Sequence, residues 1–259
     1  MGSEIEPSWQ PKRVAYFRVS LNIFFPLRLT DNLICILTVL TDSTRSLLVA
    51  ERLVLNLMQR MSGIATSTAL YVKTMNSSHT RLLDTRKTVP GLRMLDKMAV
   101  RHGGGVNHRI GLYDMVLIKD NHIEAAGGIP NAVKAACDYL RNRPANADGS
   151  RIQIEVEART LDEVKDVIQC GESIDRVLLD NMVKVDESKK VDTTMLVTAL
   201  KMIKDGVKGY TLFTEASGNV NLHTIHAIGE TGVDFVSVGA LTHSVTALDI
   251  SMKIKLEKK

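Results

Sequence analysis

Between residues 81 and 241, short apolar runs alternate with segments of helical periodicity, and nearly every run ends in a polar or charged residue. The runs are residues 81–84, 115–118, 152–157, 177–181, 210–214 and 235–238, six in all. Runs this short and apolar read as buried strands. A helix, or a loop leading to one, after each strand rules out simple hairpins. Repeated strand, crossover and strand units imply a parallel sheet with right-handed connections. Polar residues at the strand ends favour a barrel with its site at the C-terminal rim over an open sheet with one switch point. The chain has 259 residues, ample for one such α/β domain with a small appendage.

The intervening segments predict helices over residues 92–101, 130–140, 161–168 and 195–204, with a last one over 248–256. In the first of these, Leu92, Leu95 and Ala99 recur with Met94 and Met98 at helical spacing, and Arg93, Lys97 and Arg101 read as a solvated face. Gly103, Gly104 and Gly105 end that helix and free the backbone for positive φ. Ahead of the first strand, a long helix is predicted over 48–73, capped by Ser43 or Thr44. It carries Leu53, Leu57, Met61 and Ile64 on one face, and Ser62-Gly63 permits a close approach. Residues 142–150 read as a loop and 184–194 as a polar insertion.

Cations concentrate where ligands are usually met. Arg86 and Lys87 follow the first strand, His108 and Arg109 follow the triple glycine, and Lys119 ends the second strand. Such placement calls for an anionic guest. The formal net charge is only +4 and aromatic residues make up 4%, so nonspecific nucleic-acid binding and base stacking are not suggested. Cys35, Cys137 and Cys170 are odd in number and lack metal spacing, which points to a reducing, intracellular protein. Apolar residues 19–29 and 33–40 are too short and too interrupted to cross a membrane, and the early acids disfavour a secretory signal. The interval from Pro7 to Thr30, poor in acids and holding Lys12, Arg13, Arg18 and Arg28, keeps a plastid or mitochondrial transit segment open beside a cytoplasmic location.

The strings DTRKTVPGLR, GGGVNHR and YDMVLIKDNHI closely resemble quinolinate phosphoribosyltransferases, the decarboxylating pentosyltransferases of NAD biosynthesis. AERLVLNLMQRMSGIAT resembles the helix that links the two domains of that family. The resemblance implies an incomplete or atypical TIM-like α/β barrel over residues 76–259. Residues 49–75 would be the linker helix, and 1–48 a truncated or replaced remnant of the N-terminal α/β domain. It implies transfer of phosphoribosyl from phosphoribosyl pyrophosphate to quinolinate with decarboxylation, a requirement for Mg2+, and a homodimer or higher homo-oligomer.

By match to the family, Arg86, His108, Arg109 and Lys119 are expected to bind quinolinate, with Arg52 supplied across the dimer. Lys87 is expected beside the pyrophosphate. Ser217, Gly218 and Asn219, with Gly239, Ala240 and Leu241, are expected to cradle the 5-phosphate with help from helix dipoles, and His243 to lie near it. Glu155 and Asp180 are expected to act catalytically on ribose hydroxyls and on the Mg2+ hydration shell, with Lys119 beside them. Glu157, on the same strand face as Glu155, ranks second for that role. Two other readings stay open. Lys119 at a strand end could form a Schiff base as in an aldolase. A chain without the full N-terminal domain could be a noncatalytic remnant that does not dimerise.

Overall fold

A computed structural model describes residues 13–20, 34–42, 44–141, 143 and 149–256. The chain forms two compact units, residues 1–64 with 245–259, and residues 65–244. The first holds antiparallel strands β1 (Arg13–Ser20) and β2 (Ile34–Asp42) and the start of helix α1 (Thr44–Met75). The last strand of the chain, numbered β11 (Ile250–Leu256), completes the sheet in the order β11-β1-β2.

That last strand replaces the helix expected over 248–256. Ile250, Met252, Ile254 and Leu256 alternate with Ser251, Lys253 and Lys255, a period of two. Ile250 and Met252 are buried while Ser251 and Lys253 are exposed, so a sheet uses the pattern and a helix would not. Residues 245–259 therefore group with the N-terminal segment rather than with the barrel expected over 76–259. The apolar residues 19–29 lie largely outside the described residues.

Leu47 and Leu55 of α1 pack with Ile250 and Met252, flanked by Val54, Met58 and Leu248. Each such buried side chain contributes about 1.5–3 kcal/mol. The expected face was set wrongly at Leu53, which is 67% exposed; the buried stripe runs through Leu47, Leu55, Ile64, Tyr71 and Met75. Apolar residues occupy more than one side of this helix, and only the partner sheet selects the side that is covered. At Gly63 a Cβ would stand 2.3 Å from the Thr246 carbonyl oxygen, so the close approach expected at Ser62-Gly63 is real.

The second unit is a strand and helix alternation. In chain order it runs β3 (Arg81–Leu83), α2 (Arg93–His102), β4 (Met115–Ile118), α3 (Asp120–Ala126), α4 (Ile129–Leu140), β5 (Gln153–Ala158), α5 (Leu161–Gln169) and β6 (Arg176–Asp180). A ribbon of β7 (Lys184–Val185) and β8 (Val191–Asp192) occupies the polar insertion. Then come α6 (Thr194–Gly206), β9 (Phe213–Ser217), α7 (Ile225–Gly229), β10 (Phe235–Ser237) and α8 (Ala240–His243).

Six strands form one parallel sheet in the order β3-β10-β9-β6-β5-β4. Its interior strands are buried along most of their length, the apolar Ile154, Val156, Val177, Leu178, Leu179 and Ala216 interspersed with polar residues such as Glu155, Thr214 and Glu215. Val164 and Val167 of α5, with Leu196, Ala199 and Ile203 of α6, supply buried helix faces. Thr160 caps α5 by accepting from the Glu163 amide, while Glu163 accepts from the Thr160 amide. The outer strands β3 and β4 are the first two in the unit, which a closed barrel would pair. Instead Val106 adds an isolated parallel bridge to Leu83, its N–H donating to Leu82 O at 2.8 Å. The barrel is thus incomplete, as the resemblance implies.

One register matters for function. The strand expected over 210–214 runs over 213–217, because Phe213 N–H starts the ladder on Asp175 O at 2.9 Å. Glu215 consequently sits inside a strand rather than in the loop after it.

Candidate active site

The C-terminal ends of the parallel strands surround a cavity of about 590 Å³. β3 leads into Arg86 and Lys87, β4 into Lys119, and the loop before β4 brings His108 and Arg109. Facing them, β5 contributes Glu157 and β6 is followed by Asn181 after Asp180. The turns after β9 and β10 add Ser217, Gly218, Asn219, Gly239 and Ala240, with His243 at the edge. Three expected residues stand elsewhere. Leu241 is buried away from the cavity, Glu155 lies beneath its floor, and Arg52 is an exposed residue of the first unit.

The cationic wall is tightly held. Arg109 is buried and donates from Nη1 to Met115 O at 3.1 Å. Burial, then the nearby Arg86 charge, lowers its pKa, so an anion between the two guanidinium groups would relieve both costs. Lys97 explains why the loop is placed so well. The solvated face expected for Arg93, Lys97 and Arg101 does not hold for Lys97, which is 1% exposed. Its Nζ lies 2.6 Å from Asp84 Oδ1 and donates to His108 O at 2.9 Å. Asp84 also accepts from Asn107 Nδ2 and from the His108 amide, at 2.6 and 2.8 Å. Met94 and Met98 face out instead. The buried charge pair ties the end of β3, α2 and the His108-Arg109 backbone into one piece.

His108 uses both ring nitrogens within the protein. Nε2 lies 2.9 Å from Glu155 Oε2 and 3.4 Å from Glu215 Oε2, while Nδ1 accepts the Arg109 amide at 2.7 Å. Burial lowers its pKa and the two glutamates raise it, but the Arg109 N–H aimed at Nδ1 leaves no place for a second proton, so the geometry holds the ring as the neutral tautomer with its proton on Nε2. Burial, with the Glu215 charge, pushes Glu155 up to about 7. Glu215 is also buried, yet His108 and Arg176, whose Nη1 donates to it at 3.1 Å, hold its pKa down. Arg176 is itself stacked 4.3 Å over the Phe235 ring. The donor atoms of His108, Glu155 and Glu215 lie within 4.8 Å of one another, a spacing that suits a metal ion. Arg176 already supplies the compensating charge there, and Nε2 carries a proton.

Of the acids expected there, Asp180 lines the cavity and Glu155 does not, whereas Glu157, ranked second, does. Side chains two apart on a strand share a face but differ by about 7 Å along it, so Glu157 reaches the rim and Glu155 stays one layer below. Burial and then the Asp180 charge raise the Glu157 pKa, with Lys119 opposing. Burial likewise raises Asp180, against Lys119 and Arg159. Hard oxygen donors held close together in this way suit a hard cation bound largely through water, which needs only one or two carboxylates.

The two turns differ from the helix-capped loops expected. Gly218 and Asn219 have φ of 81° and 55°, successive left-handed residues, and α7 begins only at Ile225. α8 spans four residues, too short for a sizeable dipole, so backbone amides rather than helix ends must serve an anion there. Thr242 Oγ1 donates to Lys87 O at 2.8 Å and joins that turn to the cationic loop. Lys119, flanked by Glu157, Asp120 and Asp180, is not the lone lysine in an apolar pocket that a Schiff-base site needs. Glu215, Ser237 and Asn181 were missed by reasoning from the sequence. The shifted strand hid Glu215; a period-two reading from Phe213 puts it on one face with Phe213 and Ser217.

Fold and site together define a class: an incomplete parallel α/β barrel whose C-terminal rim sets a cluster of cations opposite an acidic pair, an arrangement suited to polyanionic small molecules. Residues 64–253 match the model of the quinolinate phosphoribosyl transferase C-terminal domain. The chain is 52% identical over 221 residues to the chloroplastic nicotinate-nucleotide pyrophosphorylase (carboxylating) of Arabidopsis thaliana, covering 84% of this chain and 60% of that protein. It is 43% identical over 214 residues to a probable nicotinate-nucleotide pyrophosphorylase (carboxylating) of Bacillus subtilis, covering 83% and 66%. The crystal structure of NadC from Streptococcus pyogenes superposes with a TM-score of 0.77 at 30% identity, covering 96% of this chain and 88% of that one. The chain belongs to the quinolinate phosphoribosyltransferase family, and it spans about 60% of the length of the Arabidopsis relative.

Proposed function

We propose that this chain transfers phosphoribosyl from phosphoribosyl pyrophosphate to quinolinate and releases pyrophosphate and carbon dioxide, leaving nicotinate mononucleotide for NAD biosynthesis. The observation that carries this reading is the convergence of Arg86, Arg109 and Lys119 with the acids Glu157 and Asp180 on one cavity. Quinolinate is a planar dianion, and two guanidinium groups that repel each other are suited to clamp its carboxylates. Its ring nitrogen would then face the anomeric carbon of the sugar. His108, braced from below by Glu155 and Glu215, shapes the wall and holds the Arg109 amide rather than offering a free N–H.

At the far side, the amides of the 217–219 and 239–240 turns would take the 5-phosphate, with Lys87 offsetting charge on the leaving pyrophosphate. Glu157 and Asp180 would hold the ribose hydroxyls and the water shell of Mg2+. The ion's chemistry, when bound, is to neutralise the pyrophosphate. The same carboxylates stabilise positive charge that builds at the anomeric carbon, so preorganised electrostatics supplies most of the rate. Once the pyridine nitrogen is ribosylated, its positive charge stabilises the carbanion left by decarboxylation, and the protein need only keep the site from quenching it early.

Arg52, exposed on α1, is read as a contribution to the site of a second copy, which makes a homodimer the expected working form. No helix among the described residues is long and apolar enough to cross a membrane. We place the protein in a reducing compartment. Cys137 and Cys170 are free thiols, and the plant relatives named chloroplastic or mitochondrial favour an organelle over the cytoplasm. The test is turnover with quinolinate, phosphoribosyl pyrophosphate and Mg2+, with nicotinate as competing acceptor. Release of carbon dioxide from quinolinate is the expected result, and use of nicotinate alone would overturn the reading.

A further inference from the structure

Asn181 directly follows the rim carboxylate Asp180 and lies against the turn after β9, so one side chain touches both halves of the proposed sugar-phosphate site. Its φ is 57°, a left-handed conformation that asparagine tolerates better than most residues and glycine adopts freely. The backbone N–H donates to Ser217 O at 2.9 Å and carries the β6-β9 ladder one residue past the strand. The side-chain Nδ2 donates to Asp180 Oδ2 at 2.6 Å. The other end of the same amide fills the space beside Gly218: a Cβ there would stand 2.2 Å from Asn181 Oδ1 and 2.7 Å from its Cγ. Gly218 is therefore a glycine twice over, for its φ of 81° and because the Asn181 amide occupies the place of a side chain.

A left-handed turn residue needs no particular side chain, and a carboxylate at a rim needs no neighbour to exist. The amide, however, fixes the rotamer of Asp180 from one end and backs the Ser217–Asn219 turn from the other. We propose that Asn181 is a positioning residue: it holds the Asp180 carboxylate and the Gly218 turn in register, so that the ribose hydroxyls and the 5-phosphate of one phosphoribosyl donor are met together. This rests on the reading of the cavity as a phosphoribosyl pyrophosphate site and adds the device that sets the spacing between its two halves.

Substitution by glycine separates this role from that of a turn former. Asn181→Gly keeps the left-handed backbone and removes the amide, whereas Asn181→Asp keeps the shape and replaces the donor with a carboxylate beside Asp180. Binding of phosphoribosyl pyrophosphate with Mg2+ is measured by calorimetry on the whole chain, beside thermal melting and binding of quinolinate. Loss of one hydrogen bond to a charged group predicts roughly tenfold to a hundredfold weaker binding of phosphoribosyl pyrophosphate in both variants, with quinolinate binding unchanged. A glycine variant that binds phosphoribosyl pyrophosphate like the parent makes Asn181 a turn residue only and overturns the proposal. Equal weakening for both ligands overturns it too, because that marks general disorder of the rim. If the glycine variant does not fold, the aspartate variant decides by the same comparison. A parent chain that binds phosphoribosyl pyrophosphate but does not turn over quinolinate would overturn the proposed function and leave this comparison standing.

Discussion

Replacing Lys97 by methionine removes a charge that sits 1% exposed on a helix where the sequence suggests a solvated lysine. Methionine matches the length of the aliphatic stem, so packing changes little. What is lost is the ammonium 2.6 Å from Asp84 Oδ1, and Asp84 is itself fully buried. Asn107 Nδ2 and the His108 amide remain as its donors, both uncharged. Breaking a buried pair from one side costs about 3–5 kcal/mol, since the surviving charge has no counterpart. Burial already pushes Asp84 above the ordinary carboxylate range, and Lys97 is the main influence pulling it back.

In Lys97→Met the Asp84 carboxyl should therefore rise further. The folded state would bind a proton at a pH where the unfolded carboxyl, with a value near roughly 4, has released it. Stability of the variant then increases as the pH falls from neutral toward that value, opposite in sign to a carboxylate stabilised by a partner. Urea titrations at pH 7 and pH 5 would read this directly, and Lys97→Met combined with Asp84→Asn should recover most of the loss. The lost donation to His108 O should also weaken quinolinate binding through Arg109. A Lys97→Met protein within 1 kcal/mol of the parent at pH 7, with no gain at pH 5, would refute the reasoning.

Arg109→Ala should weaken quinolinate binding by about 2–5 kcal/mol, the usual effect of removing one partner of a desolvated charged contact; fluorescence or calorimetric titration at fixed ionic strength checks it. Neutralising Glu157 and Asp180 together should abolish turnover and weaken Mn2+ binding measured by spin resonance while quinolinate still binds. Glu155→Gln should leave Mn2+ binding intact, and a loss there would return Glu155 to the metal site. Leu55→Ala should cost about 2–5 kcal/mol of stability in denaturant titration, because Leu55 is buried against Ile250 and Met252. Leu53→Ala, at an exposed site of the same helix, should cost far less.

Local pattern sufficed for much of this molecule. Apolar runs ended by polar residues marked out six parallel strands, and the position of Arg86, Lys87 and Lys119 after strand ends, with Arg109 after a glycine turn, pointed to an anion site, because these are places where a side chain leaves the core. The strings around these residues were specific enough to indicate the family. Other features depend on distance through space, which spacing along the chain does not encode. Leu53 and Leu55 are equally apolar, and only the covering sheet distinguishes them. Lys97 looks solvated until Asp84 approaches it.

Glu155 and Glu157 share a strand face. One became the buried brace of His108 and the other a rim acid, because depth along a barrel is set by the stagger of neighbouring strands. The alternation of residues 250–256 was present in the sequence, yet its strand identity was settled by pairing with β1, which lies more than two hundred positions earlier. Sequence alone determined which residues could bind an anion. The tertiary fold decided which of them meet, since charge and polarity are properties of single residues and a site is a property of distances.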